Sequence, residues 1–192
     1  MNKNRCDWAE VSDLDRKYHD NEWGVPIYND RELFECLILE GAQAGLSWST
    51  VLKKREGYRL LFDNFDIENI SQYEQKKVEE LMLDARIVRH RLKINSVITN
   101  AQAFIKIQQE FGCFSDYLWG YVNYQPLNNC WKTMSEVPVT TELSDKLSKD
   151  LKKRGFKFVG STICYAFLQA VGVVNDHVIT CHCYVSRKTN KT

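Results

Sequence analysis

The sequence is easiest to place by what it lacks. No apolar stretch among its 192 residues approaches the roughly eighteen that a membrane-crossing helix needs, so none is encoded. The opening MNKNRCDWAEVSD has no apolar core of the export-signal kind, so neither leader nor anchor is expected. Only three prolines and no low-complexity tract interrupt the chain, and no linker divides it, so one domain over 1–192 is expected. Alternating apolar and polar runs long enough for a sheet are missing, with VPVTT the one candidate extended segment. Surplus charge is missing too: 26 Lys and Arg against 25 Asp and Glu leave +1, which gives no support for a polyanionic partner. Seven cysteines, an odd number without an export signal, point to free or metal-bound thiols in a reducing, cytoplasmic compartment.

What is present is helix. Hydrophobic residues at 44% and charged ones at 27% suffice for a packed core. NDRELFECLILEGAQAGLSW opens with Asn29 or Asp30 as its cap, carries acids in its first turn and runs to Gly45. SQYEQKKVEELML begins with the capping-box pattern Ser71-x-x-Glu74. From Arg89 to Phe111, apolar Ile94, Val97, Ile98, Ala101, Phe104 and Ile105 recur at helical spacing, and Gly112 ends the run. TTELSDKLSKDLKKRG has a Thr cap and stops at Gly155, and STICYAFLQAVG follows and stops at Gly172. The fold class read from these signals is all-α.

Charge is unevenly distributed. Lys146 to Lys157 hold six basic residues against one acid. A second basic run comprises Arg86, Arg89, Arg91 and Lys93, with His90 among them. Such runs are commonly solvated helix faces. The first, however, leads into the turn GFKFVG and a new helix at Ser161, whose free N–H groups and positive dipole end suit a phosphate oxygen. Glycines at both ends of that turn permit positive φ, and Lys153, Arg154 and Lys157 would surround the anion. A plain αα-hairpin packed in the core fits the same residues.

Thiols and imidazoles gather in NDHVITCHC, Asn175 to Cys183. His177 and Cys181 stand four apart and share one face of a helical turn, while His182 and Cys183 point elsewhere. Two ligands do not close a structural zinc site, which takes four. Cys6 and His19 form another such pair near the beginning. Spacing alone describes uncoordinated buried thiols equally well. Glu40, in CLILEGAQAG, is costly if ionised and unpartnered, and harmless if its helix has one wet face.

Five segments in order, YHDNEWGVP (Tyr18–Pro26), LEGAQAGLSW (Leu39–Trp48), TVLKKREGYR, KRGFKFVGSTICYAF and VNDHV, are similar to the bacterial 3-methyladenine-DNA glycosylase I family of the helix-hairpin-helix DNA glycosylase superfamily. The likeness spans nearly the whole chain. It implies an all-α helix-hairpin-helix fold with the hairpin at about 144–172, acting on alkylated duplex DNA as a monomer. It implies one structural zinc held by Cys6, His19, His177 and Cys181, with Cys183 the competitor of Cys181. Glu40 is implied at the edge of a flipped 3-methyladenine, Tyr18 and Trp48 on its faces, and Trp8 and Trp23 further out. Leu46 matches the residue that fills the gap in the duplex. Lys153, Arg154, Lys157 and Gly160 match the backbone-binding hairpin. A carboxylate accepts hydrogen bonds, which suits the amino edge of adenine and a cationic base.

The sequence departs from the superfamily where VNDHV has Asn175 in place of the usual aspartate. Asp176, one residue on and about 100° away if helical, is not expected to be a catalytic base, and Asp176→Asn is expected to do little. Ser161 and Thr162 stand where lyase members have lysine, so a monofunctional enzyme is expected. Arg86 and Leu92 replace glycines of the family pattern, so a locally different loop is expected there. A same-fold glycosylase for another lesion, such as 3-methylguanine, is the nearest alternative. A zinc-stapled binding module is a further one, but it has no use for Glu40 between Tyr18 and Trp48.

Overall fold

The computed structural model describes residues 3–184. Among the described residues there are nine α-helices, in order α1 (Asp13–Asn21), α2 (Asp30–Gln43), α3 (Trp48–Leu61), α4 (Ile67–Ser71), α5 (Gln75–Leu83), α6 (Arg91–Phe111), α7 (Phe114–Gly120), α8 (Glu142–Lys153) and α9 (Ser161–Ala170). Two-residue strands β1 (Leu127–Asn128) and β2 (Val174–Asn175) pair in parallel, with Leu127 opposite Val174. No described helix is long and apolar enough to cross a membrane.

Local chemistry sets most boundaries. Asn29 caps α2, accepting from the N–H groups of Arg31 and Glu32 at 3.0 and 3.2 Å. Asp30 serves a different helix: its carboxylate accepts from Phe114 N and Ser115 N at 2.9 Å each, capping α7 from the far side of the sequence. Thr141 and Ser144 form a reciprocal box at the start of α8. Gly112 ends α6 at φ +89°, a conformation that favours glycine.

The capping box expected at Ser71 does not form. Asp66 starts a shorter helix upstream, and Ser71 becomes its last residue, its hydroxyl donating to Glu68 O at 2.7 Å. Helix α5 begins only after Glu74, which makes no side-chain cap.

The main core is built from Leu33, Phe34 and Leu37 of α2, Val97, Ala101 and Phe104 of α6, Phe114 and Trp119 of α7, and Phe167 and Leu168 of α9. Helices α8 and α9 pack as a hairpin, and α9 lies against α2. The connecting turn differs from the sequence reading at one point. Gly155 does take positive φ, at +97°, but Gly160 is extended at −62° and Phe158 carries the second positive φ, +54°. Gly41 of α2 faces that turn so closely that a Cβ would lie 3.3 Å from Phe158 Cβ. Buried Asn100 clamps the turn from α6, donating to Lys157 O at 3.0 Å and accepting from Lys157 N at 2.8 Å. A smaller cluster of Cys6, Tyr18, Trp23, Leu52, Ala170, Val178 and Cys181 joins the two ends of the described chain.

Candidate base pocket and metal centre

A cavity of about 400 Å³ opens where α1, α2, α3 and α9 converge. Trp8, Tyr18, Trp23 and Trp48 supply aromatic surface to it, and Glu40 and Gln43 reach it from α2. Tyr18 and Trp48 lie 5.2 Å apart between ring centroids, and Trp8 and Trp23 5.1 Å apart edge to face. Its remaining wall combines Thr162, Tyr165, Ala166 and Gln169 of α9 with a loop segment holding Met134, Val137, Pro138 and Val139. The sequence marked part of that loop, VPVTT, only as a candidate extended segment and gave it no place in the site.

Glu40 is 5% exposed, and burial pushes its carboxyl up to about 8, with no charge or hydrogen bond opposing the shift. The same burial, with Glu40 nearby, holds the Tyr18 hydroxyl well above its ordinary value. Trp48 Nε1 is a buried N–H without an acceptor among the described residues. Unmatched polar atoms beside a cavity mark a place where a ligand completes the bonding.

Asp176 presents the opposite picture. It is 1% exposed and receives Asn129 Nδ2 and Trp131 Nε1 on Oδ1 at 2.7 Å each. The Tyr165 hydroxyl and Gln169 Nε2 donate to Oδ2. No acceptor position is left for a water or a sugar, so it is no general base, as the sequence departure suggested. The expectation that Asp176→Asn does little is not supported, because an amide would turn a donor toward groups that all donate.

The thiol and imidazole groups converge. Cys6, His19, His177 and Cys181 are all buried, with ligand atoms within 4.8 Å of one another. Cys181 Sγ is 3.5 Å from His19 Nε2 and 3.5 Å from His177 Nδ1, and Cys6 Sγ is 3.8 Å from His177 Nδ1. A tetrahedral zinc with two sulfur and two nitrogen ligands needs edges of roughly 3.3–3.8 Å, so the donor set fits. The outer ring nitrogens are held as ligating histidines require: His19 Nδ1 lies 3.0 Å from Asp20 Oδ1, and His177 Nε2 3.2 Å from Trp23 O. Arg5 grips the same Asp20 with two N–H groups at 2.8 and 2.9 Å. Cys183 stands outside the quartet, 3.3 Å from His182 Nε2 and 4.0 Å from the outer nitrogen of His19, so Cys181 is the better fourth ligand. Gly24, whose Cβ would lie 3.1 Å from His177 Nε2, lets the WGVP segment close over the centre.

Leu46 projects from the turn after α2 with 39% exposure, and Gly45 beside it takes φ +77°. Buried Lys93 holds this turn, donating to Ala42 O and Ala44 O at 2.8 and 2.7 Å. Lys153 and Lys157 are exposed at the hairpin, and nothing within 4 Å faces Gly160. Arg154 is a correction: its guanidinium is held by Glu110 and Asp150 and lies over the Phe111 and Tyr117 rings, so it does not join them. In the second basic region neither Arg86 nor Leu92 takes the positive φ that a glycine would favour there. Arg86 instead pairs with Asp84, and its backbone passes so near Gly57 that a Cβ there would lie 2.4 Å from Arg86 O.

An all-helical body with a basic hairpin beside an aromatic pocket and a buried carboxylate belongs to the helix-hairpin-helix DNA glycosylase class. Comparison with known proteins narrows this. A family model for methyladenine glycosylases matches residues 8–184. The chain is 53% identical over 184 residues to Escherichia coli (strain K12) DNA-3-methyladenine glycosylase 1, covering 96% of this chain and 98% of that one. It is 44% identical over 182 residues to the Haemophilus influenzae DNA-3-methyladenine glycosylase, covering 95% and 98%. A Staphylococcus aureus 3-methyladenine DNA glycosylase I, solved to show 3-methyladenine recognition, superposes with a TM-score of 0.91 at 38% identity, covering 94% and 96%. The chain is a member of the methyladenine glycosylase family.

Proposed function

We propose that this chain excises 3-methyladenine from alkylated duplex DNA as a monofunctional glycosylase, leaving an abasic site. The observation that carries the reading is the Glu40 carboxyl, buried and unpartnered in the wall of an aromatic cavity. A neutral acid in the empty pocket becomes the matching anion for a base that arrives positively charged, and an ionised carboxylate accepts from the adenine amino group. Tyr18 and Trp48 would cover its faces, with Trp8 and Trp23 beyond them.

To reach the pocket the nucleotide leaves the stack, and Leu46 on its Lys93-braced turn would occupy the gap. Lys153, Lys157 and the N-terminus of α9 at Gly160 would hold the phosphate backbone without reading sequence. In N3-methyladenine the glycosidic electron pair returns to a cationic ring, so the base departs neutral without a general acid. Water then adds to the sugar and loses its proton to solvent. Ser161 and Thr162 at the start of α9 offer no amine, so no covalent enzyme–sugar adduct forms. Cys6, His19, His177 and Cys181 would hold a zinc ion whose role is to fix the two ends of the fold, a filled set of four leaving no place for catalytic water. A monomer acting in the cytoplasm fits this reading.

Chromatography of the bases freed when the protein meets methylated duplex DNA, with Glu40→Ala as control, decides the proposal. Release of 3-methyladenine that the variant loses supports it. Folded protein releasing no base, or releasing 3-methylguanine alone, refutes it. Strand cleavage coupled to release, or a borohydride-trapped adduct, refutes the monofunctional part.

A further inference from the structure

The outer wall of the pocket is a loop with little secondary structure, which packs Val137 against the main core and Met134 and Trp131 against the smaller cluster. Residues 121–141 link α7 to α8, and the part that lines the cavity contains one 3-10 turn, Met134–Glu136, with Val139 71% exposed beyond it. Backbone bonds fix only its base: Leu127 N donates to Val173 O at 2.9 Å, Asn129 N to Asn175 O at 3.2 Å, and Ile179 N to Trp131 O at 2.9 Å. Asn175 Nδ2 donates to Asn128 Oδ1 at 3.1 Å and Cys130 Sγ lies 3.3 Å from the Tyr184 hydroxyl, but most of the side-chain ties of that base meet at Asp176. Its Oδ1 receives Asn129 and Trp131 from the loop, and its Oδ2 receives Tyr165 and Gln169 from α9. Tyr165 and Gln169 are themselves cavity wall. One oxygen holds the loop and the other holds the helix.

We propose that Asp176 is a positioning residue for base capture, setting the width of the cavity by tying the loop wall to α9. This rests on the cavity being the base pocket. Asp176 itself never meets the base, since it is shut off from solvent and both its oxygens are occupied. Four donors share its two oxygens, so the tie does not depend on any single bond. Asparagine in its place keeps one acceptor and sets an NH₂ group either against the donor-only Trp131 or against Tyr165 and Gln169, which must turn to accept from it, so one side of the tie is disturbed. A wall released in this way costs affinity for the flipped base and leaves the chemistry of bond breaking as it was.

Steady-state release of 3-methyladenine from methylated duplex DNA, together with inhibition by free 3-methyladenine, separates the two effects. Wild type, Asp176→Asn and Trp131→Phe are compared well below their melting temperatures, with zinc content measured for each. Both variants are expected to raise KM and the inhibition constant about tenfold or more, while kcat changes much less. Trp131→Phe removes one loop donor and keeps the ring bulk, so it carries the test if Asp176→Asn does not fold. A lower Tm with KM and the inhibition constant unchanged in Trp131→Phe would overturn the proposal and leave Asp176 a fold-stabilising residue only. Wild type releasing no 3-methyladenine would refute the pocket reading itself, and the positioning role with it.

Discussion

Glu40 and Asp176 are both nearly excluded from water, at 5% and 1% exposure, yet their surroundings are opposite. Around Asp176 four side chains donate, two to each oxygen. Around Glu40 burial alone acts, and it drives the group toward the neutral acid. A carboxylate whose every lone pair is matched is part of the frame. One left unmatched inside a cavity costs stability that only a ligand recovers. Their places in the sequence suggest the reverse, because Asp176 lies beside the position where the superfamily keeps its catalytic aspartate, and Glu40 lies inside an apolar helix.

The largest effect is expected at the cluster of Cys6, His19, His177 and Cys181, which could hold a metal. Cys181→Ser, or chelation of zinc, is expected to lower stability by several kcal/mol and abolish base release, as followed by thermal melting and zinc analysis. Asp176→Ala comes next, with a loss of about 3–5 kcal/mol in denaturant unfolding, because four buried donors are left without their acceptor. Glu40→Gln is expected to lose about 1–3 kcal/mol of transition-state stabilisation in kcat/KM while the protein becomes no less stable. If Glu40→Gln destabilises as strongly as Asp176→Ala, the two sites do not differ in kind.

The pH dependence sharpens the same contrast. The carboxyl of Glu40 is raised from 4.5 in the unfolded chain to about 8 in the fold, so its stability contribution is complete below pH 4.5 and is lost as pH rises through about 8. The fall is expected to be on the order of a few kcal/mol, and Glu40→Gln should flatten it in melts taken across that range. The smallest effect is at the hairpin. Lys153→Ala and Lys157→Ala should each reduce the salt slope of DNA binding by about one, whereas Arg154→Ala should leave it unchanged.

Features carried by neighbouring residues were legible in the sequence. The Asn29 cap, the Gly112 stop and the hairpin all follow from short spacing, whereas the set Cys6, His19, His177 and Cys181 was implied by the family resemblance, its two halves lying at opposite ends of the sequence. Ser71 misled because Asp66, five residues earlier, competes for the same stretch of helix. Arg154 misled because a basic run shows nothing of Glu110, 44 residues away, which holds its guanidinium. The donors of Asp176 were invisible for the same reason, since Asn129 and Trp131 lie 47 and 45 residues from it. The loop wall at 134–139 carries no periodic pattern at all, and only the folded chain shows it beside α9.

The junction of Cys6 and His19 with His177 and Cys181 spans 175 residues at its widest and also sets when the pocket can exist. Trp8, Tyr18 and Trp23 leave the ribosome well before His177 and Cys181, which help to seat them. At about 5–20 residues per second, the aromatic segment waits roughly 10–30 s for its partners. Until then its rings are exposed, and the nascent protein has a hairpin before it has a pocket. A product of interrupted translation lacking His177 and Cys181 would carry the basic helices of a DNA binder without the seat for the base.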